Sequence, residues 1–149
     1  MASSAQKRSL LRNIRKMTKN CHVCISGHAD APDIEGIARY HKKDSIHYVF
    51  FENEQNGVTE KFSLRFGKDY LFYKRDGEVK TEVLLETGQK HVSRYATPYG
   101  TFEIGFDTVD FLLTETGSEI KICAAYSMTL NGEPHEEGKI KIQISEVKT

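Results

Sequence analysis

Apolar and polar residues alternate with a period of two along most of the chain after residue 20. Such alternation is typical of strands that have one buried and one solvated face. Runs of this kind, bounded by turn residues, predict nine or ten strands. They are Cys21–Gly27, Ile34–His41, Ile46–Glu52, Val58–Phe66, Tyr70–Arg75, Val79–Glu86, His91–Ala96, Gly100–Thr114, Ile120–Leu130 and Ile140–Ile144.

Short turn signals separate these strands. They include Lys42-Lys43-Asp44-Ser45, Gln55-Asn56-Gly57, the hairpin dipeptide Asp76-Gly77 and the four-residue turn Thr97-Pro98-Tyr99-Gly100. Connections of this length join neighbouring antiparallel strands. The sequence therefore predicts an all-β fold. A sheet of many strands removes its exposed edges by closing on itself, which favours a barrel. Our first choice is a single antiparallel up-and-down barrel of eight to ten strands, and a sandwich is the second.

The long strand after the Thr97–Gly100 turn changes its apolar parity. Phe102, Ile104 and Phe106 share one face, whereas Val109, Phe111 and Leu113 have the opposite parity. A slip of one residue would turn one of these sets away from the core. We therefore predict a bulge or bend near Asp107–Thr108.

The first 20 residues have a helical pattern instead. Between Ser3 and Met17, the apolar residues Leu10, Leu11, Ile14 and Met17 fall on one face at helical spacing. The same segment is basic, with Lys7, Arg8, Arg12, Arg15, Lys16 and Lys19 and no acid. We expect a short N-terminal helix packed on the acidic body or a tail; contact with RNA or a membrane is the alternative.

Composition narrows the class of protein. The chain has 149 residues, 38% of them hydrophobic and 28% charged, which is typical of one soluble globular domain. No apolar run is long enough for a membrane-spanning helix, and the basic start lacks the apolar core of a signal peptide. Three cysteines do not suggest a disulfide framework. We therefore expect a cytoplasmic protein.

Three stretches carry a resemblance to a known family. They are Gly36–Glu52, the turn Asp76-Gly77-Glu78-Val79 and Gly88–Thr101, whose most specific part is His91-x-x-x-Tyr95-x-Thr97-Pro98-Tyr99-Gly100. They resemble the YwiB-like family, a bacterial domain of unknown function with a calycin-type, lipocalin-like β-barrel. The resemblance covers roughly Val23–Val147, so we divide the chain into a basic leader, 1–20, and a barrel domain, 21–149. The family has no established activity, so the resemblance implies a fold and no catalytic residues.

No motif for catalysis, a cofactor or a metal is evident in the sequence. Cys21 and Cys24 are spaced like metal ligands, but positions i and i+3 of a strand point to opposite faces and no second ligand pair follows. The six histidines show no ligand spacing. We therefore expect no bound metal, no cofactor and no enzymatic activity, although an acid–base pair built on His91 is a third alternative.

The register around the Thr97–Gly100 turn predicts an interior site. If Arg94 faces Glu103 as an outer ion pair, then residues 91, 93 and 95 share the inner face with residues 102, 104 and 106. Two interpretations stay open: these polar groups bond the protein, or they line a pocket. The candidate ligand-binding residues are His91, Ser93, Tyr95, Phe102, Ile104, Phe106 and Tyr126, with Thr81 and Tyr70 as weaker candidates.

The predicted function is non-enzymatic binding of a small, partly apolar ligand in or at the mouth of the barrel. The alternative is a protein-interaction or homodimerising scaffold whose barrel is filled. Aromatic residues of the body are interleaved with acids as often as with lysines, so we expect no nucleic-acid or membrane contact except weakly through the basic leader.

Overall fold

Ten antiparallel strands make up the fold of the computed structural model, which describes residues 19–27, 33–55, 57–77 and 80–146. The strands are β1 (Lys19–Ser26), β2 (Ile34–Lys43), β3 (Ile46–Gln55), β4 (Val58–Phe66), β5 (Tyr70–Asp76), β6 (Thr81–Glu86), β7 (Lys90–Thr97), β8 (Gly100–Glu115), β9 (Glu119–Leu130) and β10 (Glu133–Glu146). The predicted helix between Ser3 and Met17 lies outside the described residues. Within these ranges, no helix is long and apolar enough to cross a membrane.

The strand order makes a nearly closed barrel. All ten strands belong to one sheet in the order β6-β5-β4-β3-β2-β1-β10-β9-β8-β7. Strands that are neighbours in sequence therefore pair with each other, except β6 and β7, and the first and last strands pair through contacts such as Val23 with Ile144. The predicted all-β antiparallel barrel is thus confirmed, with ten strands.

The barrel stays open along one seam, between β6 and β7, which lie at the two ends of the strand order. Side chains bridge this seam. His91 Nε2 lies 2.9 Å from Glu86 Oε1, and the hydroxyl of Tyr95 forms a hydrogen bond with Thr81. Closure at the seam therefore depends on individual side chains instead of a backbone ladder.

Apolar side chains of alternate positions fill the barrel interior, as the period of two predicts. Aromatic rings stack across neighbouring strands. The rings of Phe51 and Phe62 have centroids 4.6 Å apart, and those of His47 and Phe66 lie 4.7 Å apart. The largest fully buried side chains include Phe51, Phe62, Phe66 and Phe106.

The turns follow the predicted chemistry with one exception. Asp44 and Ser45 have φ of 52° and 68°, so they form the left-handed two-residue turn that suits a twisted hairpin. Gly100, the last residue of the Thr97–Gly100 turn, has φ of 133°, a value that residues with a side chain rarely adopt. The hairpin predicted at Asp76-Gly77 is confirmed, because β5 and β6 pair antiparallel, but Asp76 itself is the last residue of β5 and pairs with Lys61 instead of lying in the turn.

The predicted irregularity of the long strand is confirmed, and it lies at Val109, one residue after the predicted Asp107–Thr108. The register between β8 and β9 shifts between Thr108 and Asp110. Val109 is the extra residue and is 70% exposed, so assigning it to the same face as Phe111 and Leu113 was wrong. The bulge restores the inward parity that Phe111 and Leu113 need in order to pack on the core.

Candidate functional site

A hydrogen-bonded chain of three polar side chains lies at the end of the barrel where β2 turns into β3. The Tyr40 hydroxyl is 2.8 Å from His47 Nδ1, and His47 Nε2 is 2.9 Å from Glu115 Oε1. Lys42 Nζ lies 3.3 Å from the other oxygen of Glu115. A buried imidazole is thus connected on both sides to groups nearer the surface.

Strand pairing brings these residues together. Tyr40 and Lys42 are on β2, and His47 is the second residue of β3, directly after the Asp44–Ser45 turn. His47 has the inward parity of Val49 and Phe51, so its ring enters the core and stacks on Phe66. Glu115 is the last residue of β8 and reaches this ring across the mouth of the barrel.

Burial sets the protonation of this chain. His47 is 1% exposed, and this burial lowers the pKa of its imidazole, although the Glu115 carboxylate opposes the shift. The ring is therefore neutral at pH 7. Because a carboxylate only accepts hydrogen bonds, Nε2–H donates to Glu115, and Nδ1 then accepts from the Tyr40 hydroxyl. Burial, reinforced by Glu115, raises the pKa of Tyr40 to about 12.

A cavity of about 150 Å³ lies beside this chain. Tyr40 and Glu115 form part of its wall, next to the buried thiol of Cys21 and the apolar side chains of Ile120 and Ile144. The rest of the wall comes from the β8–β9 connection and the end of β10: Thr116, Gly117, Ser118, Glu119, Ser145 and Glu146. The mouth of the barrel therefore holds a small space with one apolar side and one polar side.

The register predicted around the Thr97–Gly100 turn is confirmed. Tyr95 pairs with Phe102, Ser93 with Ile104, and His91 with Phe106. On the outer face, Arg94 Nε lies 3.4 Å from Glu103 Oε1, as the cross-strand ion pair requires. His91, Ser93 and Tyr95 consequently share a face with the buried ring of Phe106.

The polar atoms of two of these residues already contact the protein. His91 bonds Glu86 and Tyr95 bonds Thr81, both across the seam. The ring of Phe106 meets that of Tyr126 edge-on at 5.1 Å. The seven candidate residues therefore form a strip of the inner wall, and none of them lines the cavity beside Tyr40. Their role in ligand binding stays a prediction.

The sequence interpretation missed Tyr40, His47 and Glu115. Tyr40 and His47 are seven residues apart on one hairpin, and both have the inward parity of their strands. A histidine at an inward position between apolar neighbours was a usable signal, because a buried imidazole needs hydrogen-bond partners. Glu115 offered no such signal, because 68 residues separate it from His47 in the sequence.

The cysteines lie as their spacing predicts. Cys21 is buried in the core, and Cys24, three residues later, faces outward and is half-buried. Among the residues that the structure describes, no group of three or more His, Cys, Asp or Glu side chains could hold a metal ion.

Comparison with known proteins identifies the family. The family model of DUF1934, a domain of unknown function, matches residues 27–144 of the chain. The chain belongs to the DUF1934 family. The crystal structure of the ywiB protein from Bacillus subtilis superposes on it with a TM-score of 0.69 and 17% sequence identity, over 90% of this chain and 98% of that chain.

These matches confirm the predicted YwiB-like resemblance and the fold. At 17% sequence identity, the structural match shows that the two proteins share a fold and shows nothing about function. A comparison with curated proteins found no match. The function of this DUF1934 domain must therefore be argued from its site.

Proposed function

We propose that this DUF1934 barrel binds a small, partly apolar molecule at its mouth, in the cavity beside Tyr40 and Glu115. The cavity carries the proposal, because its volume of about 150 Å³ is that of a space able to hold a molecule the size of benzene. Apolar walls with a few placed polar groups are typical of small-molecule sites. Here Ile120 and Ile144 supply the apolar part.

The lining residues favour a ligand that donates hydrogen bonds or carries a positive charge. Among the residues that the structure describes, the lining includes the carboxylates of Glu115, Glu119 and Glu146 and no lysine or arginine. Lys42 and Lys121 pair with Glu115 and Glu119 from outside the lining. Carboxylates accept hydrogen bonds and stabilise a cation nearby. A primary ammonium group on a short apolar body fits both sides of the cavity.

The polar chain supports binding over catalysis. With a pKa of about 12, the Tyr40 phenol stays protonated at neutral pH and is a poor base or nucleophile. Both ring nitrogens of His47 are engaged, one by Tyr40 and the other by Glu115. No lone pair of the His47 ring is left to take a proton from a ligand. The hydrogen-bonded side chains therefore serve to fix the cavity wall.

The experiment combines native mass spectrometry of protein purified from its own cells with a titration of benzylamine, a cation at neutral pH. We expect a retained small molecule in the spectrum. In the titration, backbone amide NMR shifts should move at Ser118 and Ile144, and Glu119→Gln should weaken binding at least threefold. Glu103→Gln removes a carboxylate from another part of β8 and is the matched control. Shifts elsewhere, or equal affinity in all three proteins, would refute the site.

The exposed apolar surface of β8 favours a second candidate, a homodimer. Val109 and Leu112 are 70% and 61% exposed, and Leu112 pairs with the exposed Cys123 of β9. Leu112→Glu should then convert a dimer into a monomer in light scattering under reducing conditions. Thr114→Glu, two residues along the same exposed face, should not. A wild-type monomer at 100 μM would exclude this candidate.

We also propose a cytoplasmic location. The three cysteines form no disulfide in the described structure, and Cys123 exposes its thiol. Exposed thiols persist in reducing compartments. Fractionation of the native cells tests this point, and recovery with secreted proteins would contradict it.

A further inference from the structure

Two adjacent rows of outward side chains cross five neighbouring strands, β2 to β6. The first row pairs His41, Tyr48, Arg65, Phe72 and Leu84 in succession, and the second pairs Arg39, Phe50, Ser63, Lys74 and Glu82. We call these ten residues the outer aromatic face. It lies on the outside of the barrel, apart from the cavity at its mouth.

The first row presents stacked flat groups. The rings of His41 and Tyr48 are parallel to within 9°, with centroids 4.7 Å apart. The guanidinium of Arg65 lies 5.2 Å above the centre of the Phe72 ring. In the second row, Phe50 is 42% exposed. Aromatic rings lying on a sheet are the platform on which bases of single-stranded nucleic acids stack.

The face is also positively charged. It holds three basic residues and one acid, a net charge of +2, whereas residues 30–149 hold 15 basic residues and 21 acids, a net charge of −6. Lys74 pairs with the single acid, Glu82, at 3.8 Å. Among the described residues, Arg39 and Arg65 form no ion pair, so both guanidinium groups can meet a phosphate.

The sequence that leads into β1 is also basic. β1 begins beside this face, with Lys19 opposite Tyr40 and Asn20 opposite Arg39. The first 20 residues carry six basic residues and no acid. Positive charge, together with the exposed ring of Phe50 and the half-buried rings of the first row, favours a polyanion with aromatic groups over a lipid surface.

We infer that the outer aromatic face binds single-stranded nucleic acid, with bases stacked on Phe50 and the His41–Tyr48 pair and phosphates held by Arg39 and Arg65. This inference is independent of the cavity at the barrel mouth. It also departs from the expectation that nucleic-acid contact is restricted to the leader.

The test is fluorescence anisotropy of a labelled, mixed-sequence 20-nucleotide RNA with the full chain at 50 and 200 mM KCl. We expect binding that weakens at least tenfold at the higher salt. Phe50→Ala and Arg65→Glu should each weaken it at least fivefold at 50 mM. Arg94→Glu makes the same charge change on β7 and should weaken it less than twofold. Arg39→Glu is the second variant should Arg65→Glu fail to fold by circular dichroism.

Three outcomes would overturn the inference. One is the absence of RNA binding at 50 mM KCl. Another is equal competition by duplex RNA, since its bases are not free to stack, so that charge alone would explain binding. The third is binding to vesicles with 30% anionic lipid that is stronger than binding to RNA and insensitive to Phe50→Ala, which would assign the face to a membrane surface.

Discussion

Removing the Tyr40 hydroxyl is the sharpest perturbation of the polar chain at the barrel mouth. Tyr40→Phe deletes one oxygen and keeps the ring. His47 is 1% exposed, so its Nδ1 loses a partner at 2.8 Å and remains out of water. An acceptor stranded in this way costs about 1–3 kcal/mol. We expect the free energy of unfolding to fall by about 2 kcal/mol, which corresponds to roughly 4–8 °C in Tm.

Replacing His47, the other partner of this hydrogen bond, should lower the free energy of unfolding by less. His47→Phe keeps the stack on Phe66 and removes both nitrogens. Glu115 is 41% exposed and keeps Lys42 at 3.3 Å, so solvent and Lys42 can satisfy it. Tyr40 lines the cavity, where its hydroxyl can find water. We expect a loss of about 1–2 kcal/mol. In the double variant neither partner is stranded, so the two losses should fall short of additivity by about 1 kcal/mol.

The assay is urea unfolding at pH 7.5, followed by circular dichroism, for the wild type, both single variants and the double variant. The slope against urea should be unchanged, so that shifts in midpoint report stability. Tyr48→Phe, which removes an outward hydroxyl on β3, is the control and should be neutral within about 0.5 kcal/mol. Additivity of the two single changes to within about 0.3 kcal/mol would show that the Tyr40–His47 bond contributes nothing to stability.

Four further outcomes are expected. Between pH 7 and 5 the wild type should lose stability more steeply than His47→Phe, by up to about 1.4 kcal/mol per pH unit, because burial lowers the pKa of His47 and the unfolded chain then binds the extra proton. Thr108→Val should raise the free energy of unfolding by about 1 kcal/mol, because the buried Thr108 Oγ1 has no hydrogen-bond partner in the described structure; a loss would contradict this. Tyr95→Phe should cost about 1 kcal/mol, because it breaks the bond to Thr81, and leave benzylamine affinity unchanged. Removing residues 1–18 should lower Tm if the leader packs on the barrel; an unchanged Tm would identify a tail.

The register of β7 and β8 could be predicted because several local signals agree there. The Thr97–Gly100 turn fixes which residues face each other, and the Arg94–Glu103 charge pair and the alternation of apolar residues require the same alignment. The bulge on β8 was predictable for a similar reason, since a parity change has few physical solutions. Both features depend on residues close together in the sequence.

The site at the barrel mouth could not be predicted, because it depends on how the sheet closes. Tyr40 and His47 meet within one hairpin, but Glu115 reaches them from β8, four strands from β2 in the sheet order. Alternation indicates which face a residue occupies and does not indicate which strand ends meet across the barrel. That depends on strand tilt and stagger, which pairing patterns leave undetermined.

The open seam between β6 and β7 also explains the polar side chains of His91 and Tyr95 on β7. Neighbouring strands elsewhere satisfy their backbone groups in ladders, whereas the seam leaves two strand edges to be satisfied by other means. His91 and Tyr95 each place a polar atom across that gap, onto Glu86 and Thr81. A side chain that closes the barrel in this way is half-buried and polar for structural reasons, which favours the first of the two interpretations of these residues. At the barrel mouth, by contrast, the polar chain beside Tyr40 adjoins open volume, so a ligand can reach it.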